Sequence, residues 1–234
     1  MDAVRIKLFD DVFSVRSVSD PSEISAVSED GFADVYILPS LNADFSLKAY
    51  RKRGESIIGD ISVPLCAAAY LAIRQGLPLD EFIFETDRKI FTVHSRRGRL
   101  TVSIPFKTLP KISQRELCGC ETEYTDFADS ACIRVIHTED AEFFDASLLS
   151  RLVLSEDAVA HAAVLSYSDG DRLGCIPYKA HSAEAHSSAL IYAYAAYNEW
   201  IHSGGKKMEY LTDDGSEISV SRTSVAMSVT PRVI

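Results

Sequence analysis

The stretch GESIIGDISVPLCAAAYLAIRQGLP, residues 54–78, decides the fold prediction. It begins with polar and glycine residues, continues as a run of small apolar residues, and ends at Gly76-Leu77-Pro78, a typical helix stop. The run LCAAAYLAI has almost no polar face, so the helix that it forms must be buried on all sides. The start of this helix carries unpaired N–H groups and a partial positive charge, which together favour a carboxylate.

A second helix of the same kind is predicted over residues 184–202, where ALIYAYAAYNEWI precedes Ser203-Gly204-Gly205. Three strand-like runs follow each helix. The segments ETD and LTD end at Asp87 and Asp213, which are 126 residues apart, whereas the stops Gly76 and Gly204 are 128 apart. This self-similarity predicts an internal duplication in which the helices are displaced by two residues.

The pattern as a whole predicts an α+β fold of two similar α/β domains. Each would be a curved, mainly antiparallel sheet wrapped around one central apolar helix, because short alternating strands surround both helices. The stretch 108–130 is the least periodic and most polar part of the chain. We therefore place the domains at residues 1–112 and 113–234.

Composition and charge restrict the classes of function. The 234 residues are 47% hydrophobic and 25% charged, which is typical of a globular protein, and the net charge of −10 argues against nucleic acid as a partner. No apolar run reaches the length of a membrane span, and MDAVRIKLFDD has no signal-peptide pattern. Five cysteines, an odd number, fit a reducing compartment. We expect a cytoplasmic protein without a membrane or nucleic-acid partner.

Several motifs, in the same order, resemble the diaminopimelate epimerase family. They are LFDDVFSV at residues 8–15, GFADVYILPSLNADFSLKAYRKRGES at 31–56, and YLTDDGSEISVSRTSVAMSVTP at 210–231. The resemblance covers nearly the whole chain. It implies the diaminopimelate epimerase-like fold, related to those of proline racemase and the phenazine-biosynthesis isomerase. It also implies an isomerase for an amino acid or a related small carboxylate that works without pyridoxal phosphate or any other cofactor, in a family known from lysine biosynthesis.

The chemistry of that family depends on two C-G-[NTS]-G motifs, one at the start of each central helix. Two cysteines act as a thiol–thiolate pair on opposite faces of the substrate. The resemblance places Asp60 at the first cysteine position and Ser188 at the second, with Ser187 as the alternative if the alignment slips by one residue. An unassisted serine hydroxyl exchanges protons poorly near neutral pH, so two-base epimerisation is disfavoured. Asp60 is either a single general base or a helix N-cap.

Further candidate residues come from the same resemblance. The substrate-binding positions fall on Asp10, Arg51, Ser62, His161, Lys179, Glu184 and Ser187. His181 flanks the predicted start of the second helix, as does His186, and either suits a general acid or base. These two histidines are five residues apart, off the i, i+4 spacing of a helical metal site, so we expect no metal.

The motif glycines are replaced by Ile61 and Val63, whose branched side chains crowd the approach of a ligand carboxylate. Three hypotheses therefore stay open. The first is a cofactor-independent isomerase with Asp60 as its base. The second is a pseudoenzyme that binds an amino acid or carboxylate, or regulates another protein. The third is a structural oligomeric subunit; a homodimer is left open in every case.

Overall fold

The computed structural model describes residues 3–25, 33–51, 57, 60–76, 80–87, 89–106, 110–117, 120–126, 133–137, 162–179, 187–206 and 208–234. The chain divides into two compact units. Unit 1 consists of Met1–Ser103, Ser187–Ala189 and Ser228–Ile234, and unit 2 consists of Ile104–His186 and Leu190–Met227. This division describes contacts within the chain, and the domain boundary near residue 112 stays a prediction.

The described residues form sixteen strands, two α-helices and a single turn of 3-10 helix at Pro21–Glu23. The first group is β1 (Val4–Leu8), β2 (Asp11–Ser17), β3 (Ala33–Pro39), β4 (Phe45–Tyr50), α1 (Ser62–Gln75), β5 (Glu81–Glu85), β6 (Ile90–Arg96) and β7 (Arg99–Pro105). The second group is β8 (Lys111–Leu117), β9 (Cys120–Asp126), β10 (Ile133–His137), β11 (Ala162–Asp169), β12 (Arg172–Lys179), α2 (Ser188–His202), β13 (Glu209–Leu211), β14 (Glu217–Ser221), β15 (Ser224–Val229) and β16 (Arg232–Val233).

The two units repeat one order of strand pairings. The order in unit 1 is β16-β1-β2-β3-β4-β5-β6-β7, and the order in unit 2 is β8-β9-β10-β11-β12-β13-β14-β15. The first six pairings in each unit are antiparallel, antiparallel, parallel, antiparallel, parallel and antiparallel. The predicted α+β class, with mainly antiparallel sheets, is therefore confirmed.

Helix α1 is the core of unit 1. Every residue from Ser62 to Leu71 is buried, and the helix contacts strands β1 to β4 and β6. Alanine at positions 67 and 68 lets these strands approach closely, because it places only a methyl group between backbones. The helix ends at Gly76, whose φ of +59° is the left-handed conformation that glycine adopts without strain.

Helix α2 is equally apolar and equally buried. Its tyrosines contribute to the core of unit 2, where the Tyr197 ring lies 4.5 Å from that of Phe106, measured between centroids. The Tyr197 hydroxyl donates a hydrogen bond to the carbonyl of Arg222 at 2.8 Å. Despite this apolar character, no helix among the described residues has both the length and the hydropathy that crossing a membrane requires.

The stretch 108–130 contains more regular structure than its sequence indicates. Strands β8 and β9 lie there and pair antiparallel from Lys111↔Asp126 to Leu117↔Cys120. Their sequences, KISQREL and CETEYTD, are rich in polar residues and lack the apolar alternation that identifies a half-buried strand. Strands β8 and β9 therefore depend on backbone pairing with neighbouring strands, and no local hydrophobic pattern marks them in the sequence.

The hairpin between β6 and β7 gives a test of the turn geometry. Arg97 and Gly98 have φ values of +52° and +78°, and Arg96 pairs with Arg99, as in a two-residue turn of type I′. Asparagine tolerates positive φ better than arginine, so Arg97→Asn should raise the free energy of unfolding by about 0.5 kcal/mol. Gly98→Ala should lower it by about 1 kcal/mol.

Urea denaturation measures both changes. Arg96→Asn is the matched control, because it removes the same charge from an exposed position outside the turn, and we expect it to be near neutral. Equal effects of Arg96→Asn and Arg97→Asn would show that charge, and not backbone conformation, determines stability at this hairpin.

Candidate functional site

The start of helix α1 satisfies its own amide groups. Asp60 Oδ1 accepts from the backbone N–H of Ser62 at 2.9 Å, and the Asp60 carbonyl accepts from that of Val63 at 3.3 Å. Pro64 has no N–H, and the N–H of Leu65 donates to the carbonyl of Ile61 at 3.4 Å. Asp60 therefore caps the helix, and the amides from 62 to 65 hold no free donor for a ligand.

The Asp60 carboxylate also binds the residue just before helix α2. The backbone N–H of Ser187 donates to Asp60 Oδ2 at 3.0 Å, and Ser187 Oγ donates to Asp60 Oδ1 at 2.6 Å. Ser62 Oγ donates in turn to Ser187 Oγ at 2.5 Å. Asp60 is only 2% exposed, and both serines are fully buried. These residues form a closed hydrogen-bonded cluster within unit 1.

A second carboxylate, that of Asp11, accepts a hydrogen bond from the backbone of the first residue of α2. Asp11 Oδ2 accepts from the backbone N–H of Ser188 at 2.6 Å, and Asp11 is buried. The turn before Asp11 contains Phe9 at φ +54°, a strained conformation for a bulky residue. This turn directs the chain into β2. A negative charge is favoured at this position because the start of a helix is partially positive.

Cys66 lies one turn further into helix α1, where the charges of Asp60 and Asp11 act on its thiol. Burial raises the pKa of its thiol well above the usual value, and the charges of Asp60 and Asp11 raise that pKa further. The thiol therefore stays protonated at neutral pH. A thiolate is the reactive form of cysteine, so Cys66 is an inert core residue.

The sequence predicted free amides at the helix starts, and the protein's own carboxylates occupy them. The Asp60 carboxylate accepts from the backbone N–H groups of Ser62 and Ser187, and the Asp11 carboxylate accepts from that of Ser188. A ligand carboxylate would have to displace an aspartate that is held in place by the chain. Among the described residues, no group of three or more His, Cys, Asp or Glu side chains is arranged to hold a metal ion.

The structure brings together four of the predicted site residues, namely Asp60, Ser62, Ser187 and Ser188. It places Asp10 on the surface and Arg51 in a buried position after β4. Lys179 is the last residue of strand β12. His161, His181 and Glu184 lie outside the described residues, as does His186. The roles predicted for all of these residues stay predictions.

The residue offset between the two repeats differs between the starts and the ends of the helices. Helix α1 begins at Ser62 and helix α2 at Ser188, which are 126 residues apart, the same interval that relates the strands. Helix α2 has 15 residues against the 14 of helix α1, and Ser203 separates its end from Gly204, so the displacement of two residues arises at the C-terminal ends. In this register Ser188 corresponds to Ser62, and position 186 corresponds to Asp60.

The sequence predicted a substrate-binding role for Asp10 and did not identify its neighbour Asp11, which accepts from Ser188. The alternation of strand β2 could have identified it. Residues 11, 13 and 15 lie on one face of the strand, and Phe13 and Val15 are fully buried there. An aspartate at the head of a buried strand face needs a hydrogen-bond donor, which the start of α2 supplies.

Solved structures share this fold over the whole chain, whereas no family profile and no curated protein sequence matches. A candidate phenazine biosynthesis PhzC/PhzF protein from Clostridium difficile has a TM-score of 0.73 at 10% identity, covering 99% of this chain and 96% of that protein. A phenazine biosynthesis PhzF family protein from Enterococcus faecalis has a TM-score of 0.70 at 11% identity, with 99% and 96% covered.

A hydroxyproline epimerase from Agrobacterium vitis, with bound trans-4-OH-L-proline, has a TM-score of 0.61 at 10% identity, with 99% and 90% covered. The chain thus has the fold of PhzF proteins and of proline racemase-like epimerases, which diaminopimelate epimerase shares. Proteins with this fold include one named as a hydroxyproline epimerase and one named as a methylitaconate-delta-isomerase. The resemblance seen in the sequence is confirmed at the level of the fold.

Removing the Asp60 carboxylate tests its role as the centre of the cluster. Asp60→Ala leaves the amides of Ser62 and Ser187 buried without acceptors, at about 1–3 kcal/mol each. We expect the free energy of unfolding to fall by at least about 3 kcal/mol. Ser187→Ala removes one hydroxyl and should cost about 1 kcal/mol.

Chemical denaturation gives both values, with Asp10→Ala as the control. Asp10 carries the same charge, is exposed, and should change stability by no more than about 0.5 kcal/mol. Similar losses for Asp10→Ala and Asp60→Ala would mean that the cluster does not stabilise the fold.

Proposed function

We propose that the protein is a pseudoenzyme on an isomerase scaffold, which binds a small amino acid or carboxylate, or regulates a partner, without epimerising it. The observation that carries the proposal is the Asp60 carboxylate, 2% exposed and bonded to Ser62 and Ser187. In the family that the sequence resembles, this position holds a catalytic cysteine. Here it holds a structural anion.

Access to the reacting atoms argues against two-base epimerisation. Such a mechanism needs two groups that reach the substrate carbon from opposite faces, each within about 3 Å of the transferred proton. Asp60, Ser62 and Ser187 are buried, and each hydrogen-bonds another of the three. Ile61 and Val63 are buried beside them and add bulk where the family has glycine.

Competition from within the chain argues against binding of a carboxylate at these amides. Asp60 and Asp11 are covalently tethered to the site, so their effective concentration far exceeds that of a free metabolite. A ligand carboxylate would also meet two like charges. A carboxylate ligand must therefore use other groups, and two of the predicted substrate-binding positions carry a cation, Arg51 and Lys179.

The similar structures support the ligand class of this proposal. One of them is a hydroxyproline epimerase with bound trans-4-OH-L-proline, and another is a probable proline racemase with bound carbonate. Both ligands are small and carry a carboxyl or carbonate group. An amino acid of this size is the class that we expect this scaffold to accept.

A second candidate function is isomerisation by a single base. The observation that favours it is the hydrogen-bonded series Ser62 Oγ, Ser187 Oγ and Asp60 Oδ1, with distances of 2.5 and 2.6 Å. A series of this kind can pass a proton towards a carboxylate. It would need a movement that exposes one member to the substrate, because all three are buried in this conformation.

Exchange of substrate protons with solvent deuterium separates the two candidates. The panel comprises L- and D-amino acids, diaminopimelate, proline and trans-4-hydroxy-L-proline, followed by mass spectrometry. We expect no incorporation above the protein-free rate. Incorporation by the wild type that Ser187→Ala abolishes and that Asp80→Ala, at an exposed position outside the predicted site, retains would replace the pseudoenzyme proposal with the single-base isomerase.

Thermal denaturation with the same panel tests the binding function. A ligand that binds the folded protein at 100 times its Kd contributes about 2.7 kcal/mol, which raises the melting temperature measurably. We expect a small carboxylate or amino acid to raise it without turnover, and Arg51→Met to remove the shift. If no compound in the panel stabilises the protein, the amino-acid and carboxylate ligand class is wrong.

A further inference from the structure

Unit 2 contains a cluster of polar side chains on a helix that is otherwise apolar. Asn198 and Glu199 lie near the C-terminal end of the apolar run ALIYAYAAYNEWI, and both are buried. Burial of a carboxylate is costly unless hydrogen bonds or an opposite charge compensate it. The partners of Glu199 therefore show what the cluster is built to hold.

Glu199 has two partners on neighbouring strands of unit 2. Its Oε1 accepts from Ser166 Oγ of β11 at 2.6 Å and from His137 Nδ1 of β10 at 2.8 Å. A carboxylate only accepts, so the hydrogen of His137 lies on Nδ1. Asn198 Nδ2 donates to Ser166 Oγ at 2.8 Å, and Thr125 Oγ1 donates to Asn198 Oδ1. The cluster fixes the orientation of the His137 ring.

The His137 ring stacks on a second histidine at the end of helix α2. The centroids of His137 and His202 are 4.1 Å apart, and the planes differ by 11°. Their side chains are 23% and 15% exposed, so protons reach both rings while water screens them only in part. His202 Nε2 lies 3.7 Å from Glu123 Oε1 of β9, beyond hydrogen-bond distance.

Among the described residues, Glu123 from β9 and Glu199 from α2 act on this stack, and Tyr210 from β13 lies within the field of Glu199. Burial raises the pKa of Tyr210, and the charge of Glu199 raises it further, so Tyr210 is neutral throughout the range considered below. Glu199 supports a positive charge on His137, which it contacts directly, more strongly than one on His202.

We propose that the His137–His202 stack is a proton-sensitive joint between helix α2 and strand β10. The stack holds one proton stably, as an imidazolium on His137 against Glu199 with a neutral His202 beside it. A second proton places two like charges 4.1 Å apart. Acid then separates the rings and loosens the last turn of α2 from β10. The joint lies in unit 2 and involves none of the residues around Asp60.

The surroundings of His202 agree with this geometry. Burial lowers the pKa of His202 below 6.5, and the neighbouring His137 lowers it further, although Glu123 and Glu199 act in the opposite direction. The unfolded chain, in which His202 is an ordinary histidine, therefore takes up this proton before the folded chain does. Stability is then lost as the pH falls below about 6.5.

Unfolding in urea across pH 5.0 to 7.5 tests the joint in the full-length protein. We expect the wild-type midpoint to fall with the pH, and His202→Gln to remove most of this fall. His94→Gln is the matched control, because it removes an exposed histidine on β6 in unit 1 and should keep the wild-type fall. A His202→Gln profile parallel to the wild type would overturn the proposal.

Two local measurements decide the matter if a variant folds poorly. In the wild type, NMR titration of the histidine rings should give His202 a midpoint below 6.5, and His137→Gln should move it upward. Amide exchange, corrected for the intrinsic rate, should show acid-induced loss of protection at Ser203, Gly204 and Gly205, whose N–H groups bond back to α2. A His202 midpoint at or above 6.5, or unchanged protection there, contradicts the joint.

Discussion

The Asp60 carboxylate is the interaction on which unit 1 depends. It joins two pieces of chain that are 127 residues apart, the start of helix α1 and Ser187 before helix α2. With Asp11, it is the reason that the short segment Ser187–Ala189 belongs to unit 1 while the rest of α2 belongs to unit 2. Buried amides require acceptors, and these two aspartates supply them permanently.

A thiol and a carboxylate at the start of a helix allow different chemistry. A cysteine at such a position is activated by the positive end of the helix and leaves neighbouring amides free for a ligand. An aspartate accepts hydrogen bonds on both oxygens and consumes those amides, as it does here with Ser62 and Ser187. The same local electrostatics that favour catalysis with a thiol thus favour a closed structure with a carboxylate.

Much of the fold could be predicted from the sequence, because its signals are local. The apolar run of helix α1, its glycine stop, and the alternation of strands such as β1 and β7 depend only on neighbouring residues. Strands β8 and β9 could not be predicted in the same way. Their polar side chains show no apolar alternation, and only pairing with neighbouring strands defines them.

The site was harder to predict than the fold. Sequence identified Asp60 and left the choice between Ser187 and Ser188 open, because one residue of register decides which hydroxyl meets the carboxylate. It did not identify Asp11, although the buried face of strand β2 marks that residue. Glu199 was read as part of an apolar helix, since its compensation by Ser166 and His137 comes from distant strands.

The edge strand β16 has a consequence for how the chain is made. It pairs with β1, so that Val233 lies opposite Ile6, and Ile234 donates to the carbonyl of Arg5 at 3.1 Å. Unit 1 therefore draws on both ends of the chain and on Ser187–Ala189, whereas unit 2 ends at Met227. During synthesis, the half that emerges first from the ribosome is the half that is completed last. Strand β1 must wait, with one edge unpaired, until Arg232 and Val233 have been made.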